Sequence, residues 1–156
     1  MRGVKIASAD AMLRAARRLG AVVEPGDVIG LRGDLGAGKT VFVKGLAAGL
    51  GLDPTHVASP TFTLINEYRG GRLGLHHVDL YRLERAEELI ELGLEEIVGG
   101  EGVCAIEWVD RFPGVAGADW LEVHIDFGPK TDRIVFVSPH GPRAQILSQK
   151  WDKRRH

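Results

Sequence analysis

The sequence has little cysteine, no large excess of positive or negative charge, and no long apolar run. Its single cysteine, Cys104, cannot form an intramolecular disulfide, which favours a reducing compartment. The 20 lysines and arginines nearly balance the 21 aspartates and glutamates, so general nucleic-acid binding is not expected. No segment approaches the ~18 apolar residues of a membrane span, and residues 1–10 lack the apolar core of a signal peptide. We therefore expect a cytoplasmic location and no membrane partner.

The rest of the composition is that of an ordinary globular domain. With 156 residues, 44% hydrophobic and 26% charged, the chain is long enough to bury a core without disulfides. We predict one domain over residues 1–140 and a basic C-terminal tail over residues 141–156. The tail is interpreted as a frayed, solvated terminus, with RNA or an acidic partner as the alternative. Cys104 lies in an apolar run, where a buried strand position is favoured over a nucleophile.

The most informative segment is Gly33-Asp34-Leu35-Gly36-Ala37-Gly38-Lys39-Thr40, which fits the phosphate-loop pattern G-x-x-x-x-G-K-[ST] at every fixed position. Glycines permit positive φ angles, so successive N–H groups can face phosphate oxygens. Lys39 would supply a cation to the β- and γ-phosphates, and the Thr40 hydroxyl would ligate Mg²⁺. Apolar residues 28–31 precede the loop and a helical segment follows it, which disfavours the competing interpretation of a glycine-rich turn with a chance lysine.

Periodicity and turn signals predict an α/β fold with a parallel core, an antiparallel contribution and helices covering both faces. Ser8 is expected to cap a helix through Leu19, with Gly20 as its C-terminal glycine cap. Further helices are expected over residues 41–48, after the phosphate loop, and over residues 86–92. Strands are expected over residues 28–31, 62–68, 73–79, 103–106, 120–127 and 133–137, with hairpins joining the second to the third and the fifth to the sixth.

Acidic residues follow two of the expected strands, where the ligands of α/β proteins collect. Asp79 and Glu107 are the candidates to hold Mg²⁺ or its waters, and Glu107 is favoured because its strand is more evenly apolar. A surface acid at a strand end is the alternative for each. His76 and His77 would point to opposite faces of a strand, which argues against a two-histidine metal site. A packed or surface role is favoured for each, with a single histidine helping at the site as the alternative.

The sequence also indicates which nucleotide base is preferred and which segment could sense the γ-phosphate. The guanine-reading Asn-Lys-x-Asp motif is absent, which favours ATP over GTP. Ser59-Pro60-Thr61-Phe62-Thr63 follows the loop helix, where hydroxyl-bearing segments of nucleotide switches sense the γ-phosphate. On pattern alone, a turn and a strand start is the favoured interpretation of this segment.

The ordered set of these motifs resembles the TsaE family, also called YjeE, of small bacterial ATPases of tRNA threonylcarbamoyladenosine modification. The set comprises the phosphate loop, Ser59-Pro60-Thr61-Phe62-Thr63-Leu64, His77-Val78-Asp79-Leu80-Tyr81-Arg82-Leu83 and Glu107-Trp108, in this order. The resemblance extends roughly from residue 8 to residue 137. It implies a P-loop NTPase fold with a parallel central sheet flanked by antiparallel strands and helices on both faces.

The resemblance also implies residue roles. ATP would be bound by the phosphate loop, by Arg133 and by Asp10, the last near the adenine. Mg²⁺ would be ligated by Thr40 and Glu107. Catalysis would rest on Lys39, Glu107 and Asp79, with Asp79 acting at the metal or at the attacking water. The switch-like residues would be Ser59, Thr61, Thr63, Tyr81, Arg82 and Trp108.

The implied activity is a slow Mg²⁺-dependent ATPase that partner proteins stimulate. Family members support the TsaD–TsaB pair, which modifies adenosine 37 of tRNAs reading codons that start with A. They do not transfer the threonylcarbamoyl group themselves, and they meet tRNA only through the complex. ATP binding and hydrolysis would reset that complex between turnovers.

Two other functions share the phosphate loop. A small-molecule kinase would need an arginine-rich lid, for which Arg82 and Arg85 are the candidates, but no lid insertion is visible. A module that binds nucleotide without hydrolysing it would require displaced carboxylates.

Overall fold

The computed structural model describes residues 3–60 and 64–155. The strands are β1 (Val4–Ile6), β2 (Val28–Arg32), β3 (Ile65–Tyr68), β4 (Leu75–Asp79), β5 (Val103–Glu107), β6 (Trp120–Phe127) and β7 (Arg133–His140). The α-helices are α1 (Ala9–Gly20), α2 (Lys39–Gly49), α3 (Glu87–Glu91), α4 (Leu94–Ile97) and α5 (Pro142–Arg155), with short 3₁₀ helices at Pro54–His56 and Val109–Arg111. Within these ranges, no helix combines the length and apolarity that crossing a bilayer requires.

The strands form one seven-stranded sheet in the order β1-β7-β6-β2-β5-β4-β3. The inner strands β6, β2, β5 and β4 are parallel to one another. The outer pairs β1–β7, β7–β6 and β4–β3 are antiparallel. This arrangement confirms the predicted parallel centre with antiparallel flanks. Strand β1 was not predicted from the sequence.

Apolar residues alternate along the central strands and build a core on each face of the sheet. Val103 and Ala105 of β5 belong to the cluster beneath α1, α2 and α5. Cys104 and Ile106 belong to the cluster that includes Leu94 of α4. β5 is buried along its whole length, as expected for a central strand covered on both faces. Burial raises the pKa of the Cys104 thiol to about 12, which removes it as a candidate nucleophile.

Helices α1 and α2 pack closely because glycines lie where their backbones meet. A Cβ on Gly20 would lie 2.3 Å from the Leu46 carbonyl oxygen, and one on Gly49 would lie 2.2 Å from the Arg17 carbonyl oxygen. Ser8 caps α1 as predicted, since its side chain accepts a hydrogen bond from the Ala11 amide at 3.0 Å. The predicted role of Gly20 as a C-terminal cap is wrong, because Gly20 is helical and instead permits this approach.

The expected frayed C-terminus is wrong. Residues Pro142–Arg155 form helix α5, whose apolar residues Ala144, Leu147 and Trp151 recur at helical spacing and are buried. The Trp151 indole donates a hydrogen bond to the Ala15 carbonyl oxygen at 2.9 Å. Arg143 at the start of the helix donates hydrogen bonds to both carboxylate oxygens of Asp27, at 3.0 and 2.9 Å. Helix α5 thus packs on the same core as α1 and α2.

Candidate nucleotide-binding site

The phosphate loop connects β2 to α2, and its backbone needs glycine. Gly36 has φ of 81° and Gly38 has φ of 115°, a region that side chains rarely adopt. A Cβ added at Gly36 would meet no atom of the described residues within 4 Å. Gly38 is the residue that precedes the first turn of α2. The loop therefore presents main chain at the positive end of a helix, which suits an anion.

Lys39 lies over the loop with its ammonium group satisfied by the chain itself. Its Nζ donates to the carbonyl oxygens of Gly33 at 2.5 Å and Asp34 at 3.0 Å. The same Nζ lies 4.0 Å from the centre of the Trp108 ring, at cation–π distance. Burial lowers the pKa of Lys39, while the nearby Glu107 and Asp79 carboxylates act in the opposite direction. The lysine is thus held at the loop as a largely buried cation.

Thr40 brings the loop helix into contact with β5. Its Oγ1 lies 3.0 and 3.1 Å from the Glu107 carboxylate oxygens and 2.8 Å from the Ser59 hydroxyl. These are hard oxygen donors, the kind that Mg²⁺ prefers. No group of three or more histidine, cysteine or acidic residues in the described chain can hold a metal. This donor set fits a Mg²⁺ held by few protein oxygens together with phosphates and water.

The Asp79 and Glu107 carboxylates end adjacent parallel strands. The two residues pair in register across β4 and β5, which places both at the same edge of the sheet as the phosphate loop. Asp79 accepts a hydrogen bond from the Tyr81 amide at 3.0 Å. Desolvation raises the pKa of Asp79; the Tyr81 amide opposes this effect and the Glu107 charge adds to it. Asp79 is therefore a carboxylate whose charge is disfavoured by its site.

His77 is the site residue that sequence reasoning missed. It is fully buried, and its Nε2 lies 2.5 Å from Oε2 of Glu107. A packed or surface position was expected for it, and its contact with the candidate metal ligand was not predicted. Strand alternation could have indicated this contact, because residues 77 and 79 of one strand and residue 107 of its parallel neighbour share a face.

Four of the six switch-like residues lie at the candidate site. Ser59, Tyr81, Arg82 and Trp108 line the same cavity of about 400 Å³ as Lys39, Thr40, Asp79 and Glu107. The Tyr81 and Trp108 rings lie 4.9 Å apart, so these two segments touch beside the loop. Thr61 and Thr63 lie outside the described residues.

Arg133 and Asp10 were expected near the nucleotide. Arg133 donates from Nε to the Ala37 carbonyl oxygen at 3.0 Å, so it lies directly against the phosphate loop. It also lines a smaller cavity of about 120 Å³ between the loop and the start of α1. Ser8 and Ala9 line this cavity, whereas Asp10 is not among its lining residues.

Comparisons with known proteins agree with the fold. The family model described as "Threonylcarbamoyl adenosine biosynthesis protein TsaE" matches residues 6–135. A Bacillus subtilis protein named tRNA threonylcarbamoyladenosine biosynthesis protein TsaE is 42% identical over 135 residues, covering 86% of this chain and 84% of that protein. A Nostoc protein of the same name is 41% identical, covering 89% and 86%. The crystal structure of Bacillus subtilis YdiB superposes with a TM-score of 0.83 at 32% identity, covering 99% of this chain and 96% of that one.

Proposed function

The chain belongs to the TsaE family, and from this premise we propose that it binds and slowly hydrolyses ATP, with Mg²⁺, in threonylcarbamoyladenosine biosynthesis. We propose that it acts in the cytoplasm as a nucleotide-dependent switch. It would support the TsaD–TsaB pair, which modifies adenosine 37 of tRNAs reading codons that start with A. It would reset that complex between turnovers without transferring the threonylcarbamoyl group itself.

One observation carries this proposal. The Thr40 hydroxyl at the end of the phosphate loop lies within hydrogen-bond distance of Glu107 and of Ser59, at 2.8–3.1 Å. The loop would hold the triphosphate, and Thr40 with Glu107 would hold the metal. A binding module without turnover would require the carboxylates to be displaced from the site, and a kinase would need a second pocket and a lid.

The remaining site residues have distinct roles in this proposal. Bound MgATP would supply the phosphoryl chemistry, and a Mg²⁺ held by Thr40 and Glu107 would neutralise phosphate charge. Lys39 adds its cation to the same anion. Asp79 would orient or deprotonate the attacking water, a role consistent with the upward shift of its pKa. Arg133, which lies against the loop through the Ala37 carbonyl, would contact the nucleotide.

The switch would lie in the segments that line the cavity opposite the loop. Ser59 precedes β3, while Tyr81, Arg82 and Trp108 follow β4 and β5. A γ-phosphate that contacts such segments can order a surface for a partner to recognise. The nucleotide shifts this equilibrium only through its different affinities for the two states, so tight binding alone would not establish the switch.

The test is ATP hydrolysis by the purified chain, alone and with a TsaD–TsaB pair from the same source. Slow turnover alone that rises on addition of the pair would support the proposal. A rate that the pair leaves unchanged would contradict the switch role. A rate that instead rises with a small-molecule phosphate acceptor would favour a kinase.

A further inference from the structure

We propose that His77 is a positioning residue that fixes the Glu107 carboxylate at the metal site, an inference that rests on the proposed function. His77 lies in β4, and its side chain is fully buried. Glu107 ends β5 and is only 3% exposed. The contact therefore joins two buried polar groups on adjacent parallel strands, on the side of the sheet that Thr40 approaches.

The direction of the hydrogen bond follows from the chemistry of the pair. A carboxylate oxygen accepts hydrogen bonds, so we assign the donor of the 2.5 Å contact with Oε2 of Glu107 to Nε2 of His77. The other ring nitrogen, Nδ1, is buried and has no hydrogen-bond partner among the residues that the structure describes. The bond from Nε2 to Glu107 is thus the one polar contact that the described residues give this imidazole. An apolar side chain of similar size would fill the same space without an unpaired nitrogen.

The bond matters because of what else holds Glu107. Thr40 contacts both carboxylate oxygens, at 3.1 Å to Oε1 and 3.0 Å to Oε2, and Thr40 is itself a candidate metal ligand. If Thr40 turns toward Mg²⁺, the bond from His77 remains to orient Oε2. Outer groups that orient a ligand in this way tune metal affinity without touching the metal.

His76 provides a matched control one residue away. It lies on the opposite face of β4, and its Nδ1 likewise lacks a partner among the described residues. Its side chain is 21% exposed, and its carboxylate neighbour is Glu67 at 3.7 Å, away from the candidate site. Replacing His76 removes a similar side chain from the same strand without affecting Glu107.

The experiment measures the affinity for Mg²⁺ of the full chain with the non-hydrolysable analogue adenylyl imidodiphosphate, by calorimetry. Affinity for the analogue is measured separately in EDTA. We expect His77→Leu to weaken Mg²⁺ binding about 10–100-fold, the range for lost outer-shell partners, and to leave the affinity in EDTA unchanged. His76→Leu should match the wild type in both measurements. On a Glu107→Ala background, His77→Leu should weaken Mg²⁺ binding no further.

Two conservative substitutions of His77 still test the proposal if His77→Leu does not fold. The amide nitrogen of glutamine can stand near Nε2, while that of asparagine stands nearer Nδ1, so His77→Gln should retain Mg²⁺ affinity and His77→Asn should lose it. Equal Mg²⁺ affinities for these two variants would overturn the proposal. An equal loss in EDTA and in Mg²⁺ would also overturn it, because packing alone would then explain the effect. Failure of the wild-type chain to bind the analogue would instead refute the proposed function.

Discussion

Replacing Trp151 with alanine should lower the free energy of unfolding by about 3–5 kcal/mol, the usual cost of deleting a buried tryptophan. The side chain is 1% exposed on helix α5. Its ring packs edge-to-face on Phe42 of the loop helix α2, with centroids 5.9 Å apart. Its Nε1 donates to the Ala15 carbonyl oxygen of α1 at 2.9 Å. The substitution therefore removes contacts among three helices at once.

Two further variants separate the contributions to this loss. Trp151→Phe keeps an aromatic ring but removes the N–H donor, so the lost hydrogen bond should account for about 1 kcal/mol of its effect. Ile146 lies on the same helix with 48% of its surface exposed. Ile146→Ala is therefore the matched control, and it should change stability by no more than about 0.5 kcal/mol.

The assay is urea unfolding followed by far-ultraviolet circular dichroism, which does not depend on the fluorescence of the deleted indole. Linear extrapolation gives the free energy of unfolding for each variant. A loss for Trp151→Ala as small as that for Ile146→Ala would refute the packed helix. It would restore the interpretation of residues 141–156 as a solvated tail.

The other predictions concern the site. Lys39→Ala should weaken ATP binding in a calorimetric titration, by about 10-fold or more for a lost charged hydrogen bond, and unchanged affinity would count against the phosphate loop. Glu107→Ala should nearly abolish Mg²⁺-dependent turnover while circular dichroism shows the fold retained; full activity would transfer the metal role to Asp79. The pKa of Asp79 is raised in the folded state, which means that folding disfavours its ionisation. The free energy of unfolding therefore falls as the pH rises from the pKa of this carboxyl in the unfolded chain through its pKa in the folded chain. Asp79→Asn should therefore increase the free energy of unfolding at pH 7 while slowing turnover, and lower stability at pH 7 would contradict this reasoning.

Much of the fold could be predicted because short segments of the sequence are enough to identify its central elements. The run 103–106 is apolar at every position, and it became β5, buried on both faces. The phosphate loop needs its glycines, lysine and threonine at fixed spacing, so its eight residues identify it. Asp79 and Glu107 were found because each directly follows the apolar part of a strand, and parallel strands bring such ends together.

The missed features depend on contacts between distant parts of the chain. β1 is three residues long, and its pairing with β7 joins Val4 to Val135. Helix α5 is rich in charge, so its narrow apolar stripe at residues 144, 147 and 151 was outweighed by composition. His77 was interpreted as a packed or surface residue, because its own strand does not show which strand pairs with it. Its contact with Glu107 follows only once β4 and β5 are paired.

The most direct test of the central claim counts threonylcarbamoyladenosine formed per TsaD–TsaB complex when tRNA and the activated threonylcarbamoyl donor are in excess. We expect the wild-type chain with ATP to sustain product formation beyond one equivalent per complex. The Glu107→Ala variant should leave the reaction stalled near one equivalent. Product formation that is equally sustained by the wild type and by Glu107→Ala would contradict a reset that depends on ATP hydrolysis.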